Sequence, residues 1–173
     1  ALAVAMTVNS SCAIYVSSFD GYSDLWRPFF SLMDRYWPDC PYQLYLGANS
    51  KSFEHARVRV LPAGPSNNWS DRVREHLAAI PSEYVLMMLD DWFLYRGVET
   101  PRIEHLINLL ERFDGHMLRL VPDPKPNFAV PGHPSIGLMG IGTLLRSNTH
   151  ATIWRKETLL GLTRGGESLW EFE

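Results

Sequence analysis

The stretch Tyr84-Val85-Leu86-Met87-Met88-Leu89-Asp90-Asp91 decides how this chain is read. Six apolar residues run without polar interruption and stop at two carboxylates. The run is short for a buried helix and lacks the alternation of a half-solvated strand. It therefore predicts a strand covered on both faces, the pattern of a central strand in a helix-covered sheet. Upstream, Val73, Leu77 and Ile80 share a helical face after the loop Pro62–Asn68, with Ser70 as the expected cap. Downstream, Thr100-Pro101 opens a helix with Ile103, Leu106, Ile107, Leu110 and Phe113 inward and Asp114-Gly115 as its stop.

The pattern extends in both directions. Cys12–Ser17 is a β-branched and aromatic run that predicts an N-terminal strand ending in Ser-Ser-Phe-Asp-Gly. Leu25, Phe29, Leu32, Met33 and Tyr36 form one helical face, with Pro28 expected in the first turn and Trp37-Pro38 as the end. Tyr42–Leu46, Val58–Leu61 and His116–Val121 are further expected strands. Val121–Ser135 holds five prolines and is expected to be irregular. Ile136–Ile141 with Thr143–Arg146 predicts a short hairpin. Ile153–Leu162 reads as a strand end running into a helix, and the last seven residues as the start of another. Alternating strands and helices predict an α/β/α sandwich with a mainly parallel, Rossmann-like sheet, which binds ligands at the C-terminal ends of its strands.

Composition narrows the function classes. With 173 residues, 46% of them hydrophobic, the chain has material for one core and one domain. A net charge of −3 with scattered basic residues argues against nucleic acid as a partner. No stretch approaches the roughly 18 apolar residues of a membrane-spanning helix. Cys12 and Cys40 lack metal-site spacing and read as two reduced thiols of a cytosolic protein, one of them buried. Ala1–Ala5 has no basic flank and does not read as a signal peptide. Residues 1–11 are expected to be an N-terminal extension or cloning remnant, and 12–173 a single domain. The blunt end at Trp170-Glu171-Phe172-Glu173 suggests a truncated piece of a longer chain.

The candidate chemistry sits at predicted strand ends. Asp90 and Asp91 are hard oxygen ligands suited to Mg²⁺ or Mn²⁺ bridging to phosphate; the pair reads equally as a solvated turn with one Asp as a cap. Ser17, Ser18 and Asp20 could hold a base or ribose, while Asp20 alone also suits a turn leading into a helix. In Asn67-Asn68-Trp69-Ser70-Asp71-Arg72, a helix N-terminus favours anions. Arg72 there could pair with a phosphate, pair with Asp90, or stand as an exposed first-turn charge.

These segments together resemble a family. Ser-Phe-Asp-Gly-Tyr-Ser-Asp, then Asn-Trp-Ser-Asp-Arg, then Glu-Tyr-Val-Leu-Met-Met-Leu-Asp-Asp-Trp-Phe-Leu look like the core of a GT-A-fold glycosyltransferase. Ala151–Leu160 and Glu167–Glu173 are similar to bacterial glycosyltransferases that build capsule or lipopolysaccharide. The resemblance implies transfer of a hexosyl unit from a nucleotide-diphosphate sugar to a glycan or lipid-linked glycan hydroxyl. It places Ser17, Ser18, Asp20, Asn68, Arg72, Asp90, Asp91 and His150 around the donor, and Asp91 with Asp90 on a Mg²⁺ or Mn²⁺ ion. The family's Asp-any-Asp pattern would want an acid where this chain has Trp92. Asp91 would then hold the ion alone, or the enzyme would do without one. Glu173 or Glu171 resembles the general base of inverting members, with Glu173 preferred. Trp154 and Trp170 could stack on sugar rings or pack in the core. The resemblance also implies a cytoplasmic protein at the inner face of the membrane. Two other readings stand beside it: a non-catalytic partner of a polysaccharide assembly that keeps the fold, and a metal-dependent nucleotidyltransferase. The latter would want a Gly-rich phosphate loop, and no Gly-x-x-x-x-Gly-Lys occurs.

Overall fold

The computed structural model describes residues 11–66 and 68–173. The expected extension therefore lies outside the described residues except for Ser11, whose carbonyl accepts from the Tyr84 amide at 2.9 Å. The elements are β1 (Cys12–Ser17), α1 (Ser23–Tyr36), β2 (Gln43–Ala48), β3 (Val58–Pro62), α2 (Trp69–Ala79), β4 (Tyr84–Leu89) and α3 (Thr100–Arg112). They continue as β5 (Met117–Arg119), β6 (Phe128–Val130), β7 (His133–Leu138), β8 (Thr152–Arg155), α4 (Lys156–Leu162) and α5 (Leu169–Phe172). A single 3-10 turn at Asp20–Tyr22 leads into α1.

Six strands form one sheet in the order β3-β2-β1-β4-β8-β5. The pairs β3-β2, β2-β1 and β1-β4 are parallel. β8 runs antiparallel to both β4 and β5, so it alone points backwards. The expected α/β class with a mainly parallel sheet is what forms.

Burial explains why β4 carries no polar residue before its end. Leu86 and Met88 join Ile14, Val16, Leu44 and Leu46 in a core closed by α1 and α3. Val85 and Met87 point the other way, to a second core with Tyr15, Trp154, the α2 residues Val73 and Leu77, and Phe172 of α5. A strand covered on both faces must be apolar at every position. Both cysteines are buried and free. No helix among the described residues is long and apolar enough to cross a membrane.

Three local expectations are corrected. Pro28 is the sixth residue of α1, beyond the first turn. Its missing N–H orphans the Asp24 carbonyl, and both residues are exposed, so water can take that bond. The cap of α2 is Asn68, whose side chain accepts from the Ser70 amide, and not Ser70. The hairpin lies earlier than expected, as β6 and β7, with Phe128 opposite Leu138 and Val130 opposite His133. Pro131 and Pro134 read as breakers, but in a two-stranded ribbon both strands are edges and tolerate a missing N–H. Gly132, at φ +76°, supplies the left-handed residue of the turn. Thr143–Arg146 forms no strand, and Leu145 there has φ +54°.

Candidate functional site

The strand order reverses between β1 and β4: β2 and β3 lie on one side of β1, β4 and β8 on the other. A crevice opens at such a point, beyond the carboxyl ends of the strands. Register decides which side chains meet there. Ser17 pairs with Leu89, so the next residues, Ser18 and Asp90, leave the sheet side by side. The Ser18 hydroxyl donates to Asp90 Oδ2, and the Trp26 indole N–H donates to Ser18 Oγ at 2.7 Å. Burial pushes the Asp90 carboxyl up to about 6; the Ser18 hydrogen bond opposes this and the Asp91 charge adds to it. Asp91 itself is exposed. The two adjacent acids thus face different surroundings: one half of the pair is locked to β1 and the other looks outward.

On the β2 side the polar groups are engaged with one another. Asp20 accepts from the backbone amides of Asn49, Ser50 and Lys51 at 2.9, 3.1 and 3.1 Å and from the Ser50 hydroxyl at 2.8 Å. Burial would raise its carboxyl, but the bonds from Ser50, Lys51 and Asn49 outweigh that and hold it below the usual range. Lys51 Nζ returns to the Asp20 carbonyl at 3.0 Å and to Ser23 Oγ at 2.7 Å. Asn49 reaches on to the carbonyls of Gly64 and Ser66. Asp20 and Asn49 therefore bolt three loops together.

Asn68 uses its Oδ1 on the Ser70 amide and hydroxyl, at 3.0 and 2.7 Å. Arg72 is buried, donates Nη1 to the Ser66 carbonyl at 3.3 Å and lies over the Phe19 ring at 5.2 Å. Its Nε has no hydrogen-bond partner among the described residues. Burial lowers its guanidinium from the ordinary value, against the pull of Tyr15 and Asp20. It does not pair with Asp90, and it is not the exposed first-turn charge.

The β4 side is assembled from distant segments. β8 is antiparallel, with Thr152 opposite both Met87 and Arg119, so residues just before Thr152 lie beyond the carboxyl ends of β4 and β5. There the His150 ring stacks on Trp92 at 3.9 Å and 23° between planes. Thr149, fully buried, donates its amide and hydroxyl to Glu173 Oε1 at 2.9 and 2.6 Å. Glu173 is thereby fixed beside the loop that carries His150. Glu171 faces elsewhere: its Oε2 accepts from the Ser168 amide and hydroxyl at 2.7 and 2.8 Å in a capping box. Those bonds hold its carboxyl low and commit it to the cap. Trp154 is fully buried in the second core, whereas Trp170 is exposed.

Ser17, Ser18, Asp90, Asp91, His150 and Glu173 thus stand along one rim, while Asp20, Asn68 and Glu171 have their side chains committed to local structure. Sequence reasoning missed Asn49 and Lys51, although they follow β2 as Asp90 follows β4 and the same strand-end criterion would have found them. It also missed Trp92 as a stacking partner and Thr149 as the anchor of Glu173.

Among the described residues no group of three or more His, Cys, Asp or Glu could hold a metal ion. The donor set fits an ion shared with phosphate oxygens, which needs only one or two carboxylates from the protein. Asp91 offers one such carboxylate, with Asp90 next to it. No family model and no curated protein matches the chain.

Proposed function

We propose that the chain is a GT-A-fold glycosyltransferase of bacterial surface-polysaccharide synthesis, moving a sugar from a nucleotide-diphosphate donor to a glycan hydroxyl on the cytoplasmic side. The observation that carries this reading is the rim itself. An outward carboxylate (Asp91) at the sheet's reversal point and a second, Thr149-anchored carboxylate (Glu173) are joined along it by the Trp92–His150 stack.

The roles follow from the chemistry. Ser17 and Ser18 line the reversal point, where the donor's nucleoside is placed. Arg72 is a buried cation whose Nε–H has no partner among the described residues, suited to the diphosphate charge. A Mg²⁺ or Mn²⁺ held by Asp91, with Asp90 beside it, would supply charge neutralisation on the departing diphosphate. Glu173 is the base: it takes the proton of the acceptor hydroxyl while that oxygen bonds to the anomeric carbon and the bond from that carbon to the diphosphate oxygen breaks. Attack opposite the leaving group inverts the anomeric configuration. The hydrogen bonds from Thr149 fix Glu173 Oε1, so its orientation needs no rearrangement at the moment of transfer.

The test is a panel of uridine, guanosine, cytidine and thymidine diphosphate sugars screened for thermal stabilisation with Mn²⁺. A donor at about 100 times its Kd adds about 2.7 kcal/mol and raises Tm by a few degrees. If no member of the panel shifts Tm, the reading fails. If donors bind but no diphosphate is released with any acceptor, the non-catalytic partner replaces it.

A further inference from the structure

The excursion between β5 and β8 has a composition unlike the rest of the chain. From Pro124 to Lys156 there is no Asp or Glu, although the chain holds 19 of them. Its large apolar side chains also point out: Ile141 is 95% and Leu144 81% exposed, and Phe128, Leu138 and Leu145 are exposed with them. These residues form one surface. Phe128 and Leu138 are cross-strand partners in the β6-β7 ribbon, and Gly140 abuts the Phe128 ring. Asn127 Oδ1 accepts from the Gly140 amide at 2.7 Å and the Thr143 hydroxyl at 2.8 Å, which folds Ile141 and Leu144 back beside the ribbon. Arg119 at the end of β5 ties this surface to the rim through the Leu145 carbonyl at 3.0 Å. The excursion opens with one exposed acid, Asp123, outside the Phe128–Arg146 surface; its cations are Lys125 and Arg146, both exposed.

Contiguous exposed apolar patches mark contact surfaces. A protein partner's surface carries both signs of charge and would not call for a patch cleared of acids. An anionic bilayer does: apolar side chains enter the boundary of headgroups and acyl chains, cations meet the negative surface, and any carboxylate would be repelled. We infer that the Phe128–Arg146 excursion is a membrane-docking surface that seats the chain on anionic lipid. The inference rests on this surface alone and does not need the donor-binding reading.

The experiment is co-sedimentation of the full chain, without donor, with vesicles of phosphatidylcholine alone or with about one quarter phosphatidylglycerol. Binding to the anionic vesicles is expected, falling at least tenfold on neutral vesicles and weakening with salt. The exposed double variant Ile141→Ser/Leu144→Ser should lose at least tenfold in vesicle affinity with an unchanged Tm. Lys125→Glu/Arg146→Glu should lose the preference for phosphatidylglycerol. Three results would overturn the inference: no vesicle binding by the wild type, equal binding by both variants, or lipid-free self-association in sedimentation velocity that Ile141→Ser/Leu144→Ser abolishes. The last would assign the surface to a second copy.

Discussion

On the β2 side of the rim, Asp20 directs its carboxylate at three backbone amides and a hydroxyl of Asn49–Lys51; on the β4 side, Asp91 leaves its strand with the carboxylate exposed. Both acids follow apolar strands of one sheet at the same edge. What separates them is whether a neighbouring loop supplies donors. The 49–51 loop turns its amides toward Asp20, so that acid builds the rim. Among the described residues no such loop closes on Asp91, which remains available to bind. Asp90 lies between these cases, buried and bonded to Ser18 yet raised to about 6. A strand-end acid is a candidate ligand group only where the fold has not already satisfied it.

This contrast can be broken by mutation. Glu173→Gln should cut turnover about 10²- to 10⁴-fold and leave donor binding intact, measured as diphosphate release beside calorimetry. Retained turnover would remove the base from that position. Asp20→Ala should leave four donors of the 49–51 loop unmet and cost about 2 kcal/mol in denaturant unfolding, because hydrogen bonds to a charged acceptor are the stronger kind. The pH dependence has a definite sign. A carboxyl held below its unfolded value stabilises the fold above that value and loses the contribution as pH falls through the folded one. The wild type should therefore lose stability toward acid, and Asp20→Asn should flatten that loss.

Asp90 has the opposite sign. Raised from 3.8 to about 6, it carries no penalty below the lower value and a growing one as pH rises through that window. At neutral pH the charged form is fully penalised, so Asp90→Asn should stabilise the ligand-free chain by about 1–3 kcal/mol. The Ser18 hydroxyl can still donate to the amide oxygen. A Tm that falls at pH 7 in Asp90→Asn would show that the ionised carboxylate supports the fold.

Much of the scaffold was legible because burial leaves few choices. Tyr84–Leu89 is apolar at every position since α1 and α3 cover one face and α2 and α5 the other, and it forms β4 over the predicted residues. Asp90-Asp91 stood out for the same reason: the run ends where the sheet does. The partners of those acids were not legible. Whether Ser18 meets Asp90 depends on the Ser17–Leu89 register, and Asp20 finds its donors about thirty positions away, set by the parallel pairing of β1 and β2. Asn68 and Ser70 are both good cap residues, and only the backbone at Asn68, extended at φ −79° and ψ 131°, selects the first. The β6-β7 ribbon escaped because its prolines resemble loop residues and its apolar side chains face out, so no burial imposes alternation.

The central claim is that Asp91 is the acid left free for a donor's metal-bound diphosphate. Calorimetric titration of the stabilising nucleotide sugar into wild type and Asp91→Ala, each with and without Mn²⁺, tests it most directly. The account predicts that Mn²⁺ strengthens donor binding to the wild type. It also predicts that Asp91→Ala loses about tenfold in affinity, about 1.4 kcal/mol, only when Mn²⁺ is present. Equal Mn²⁺-dependent affinity in the two proteins would contradict it.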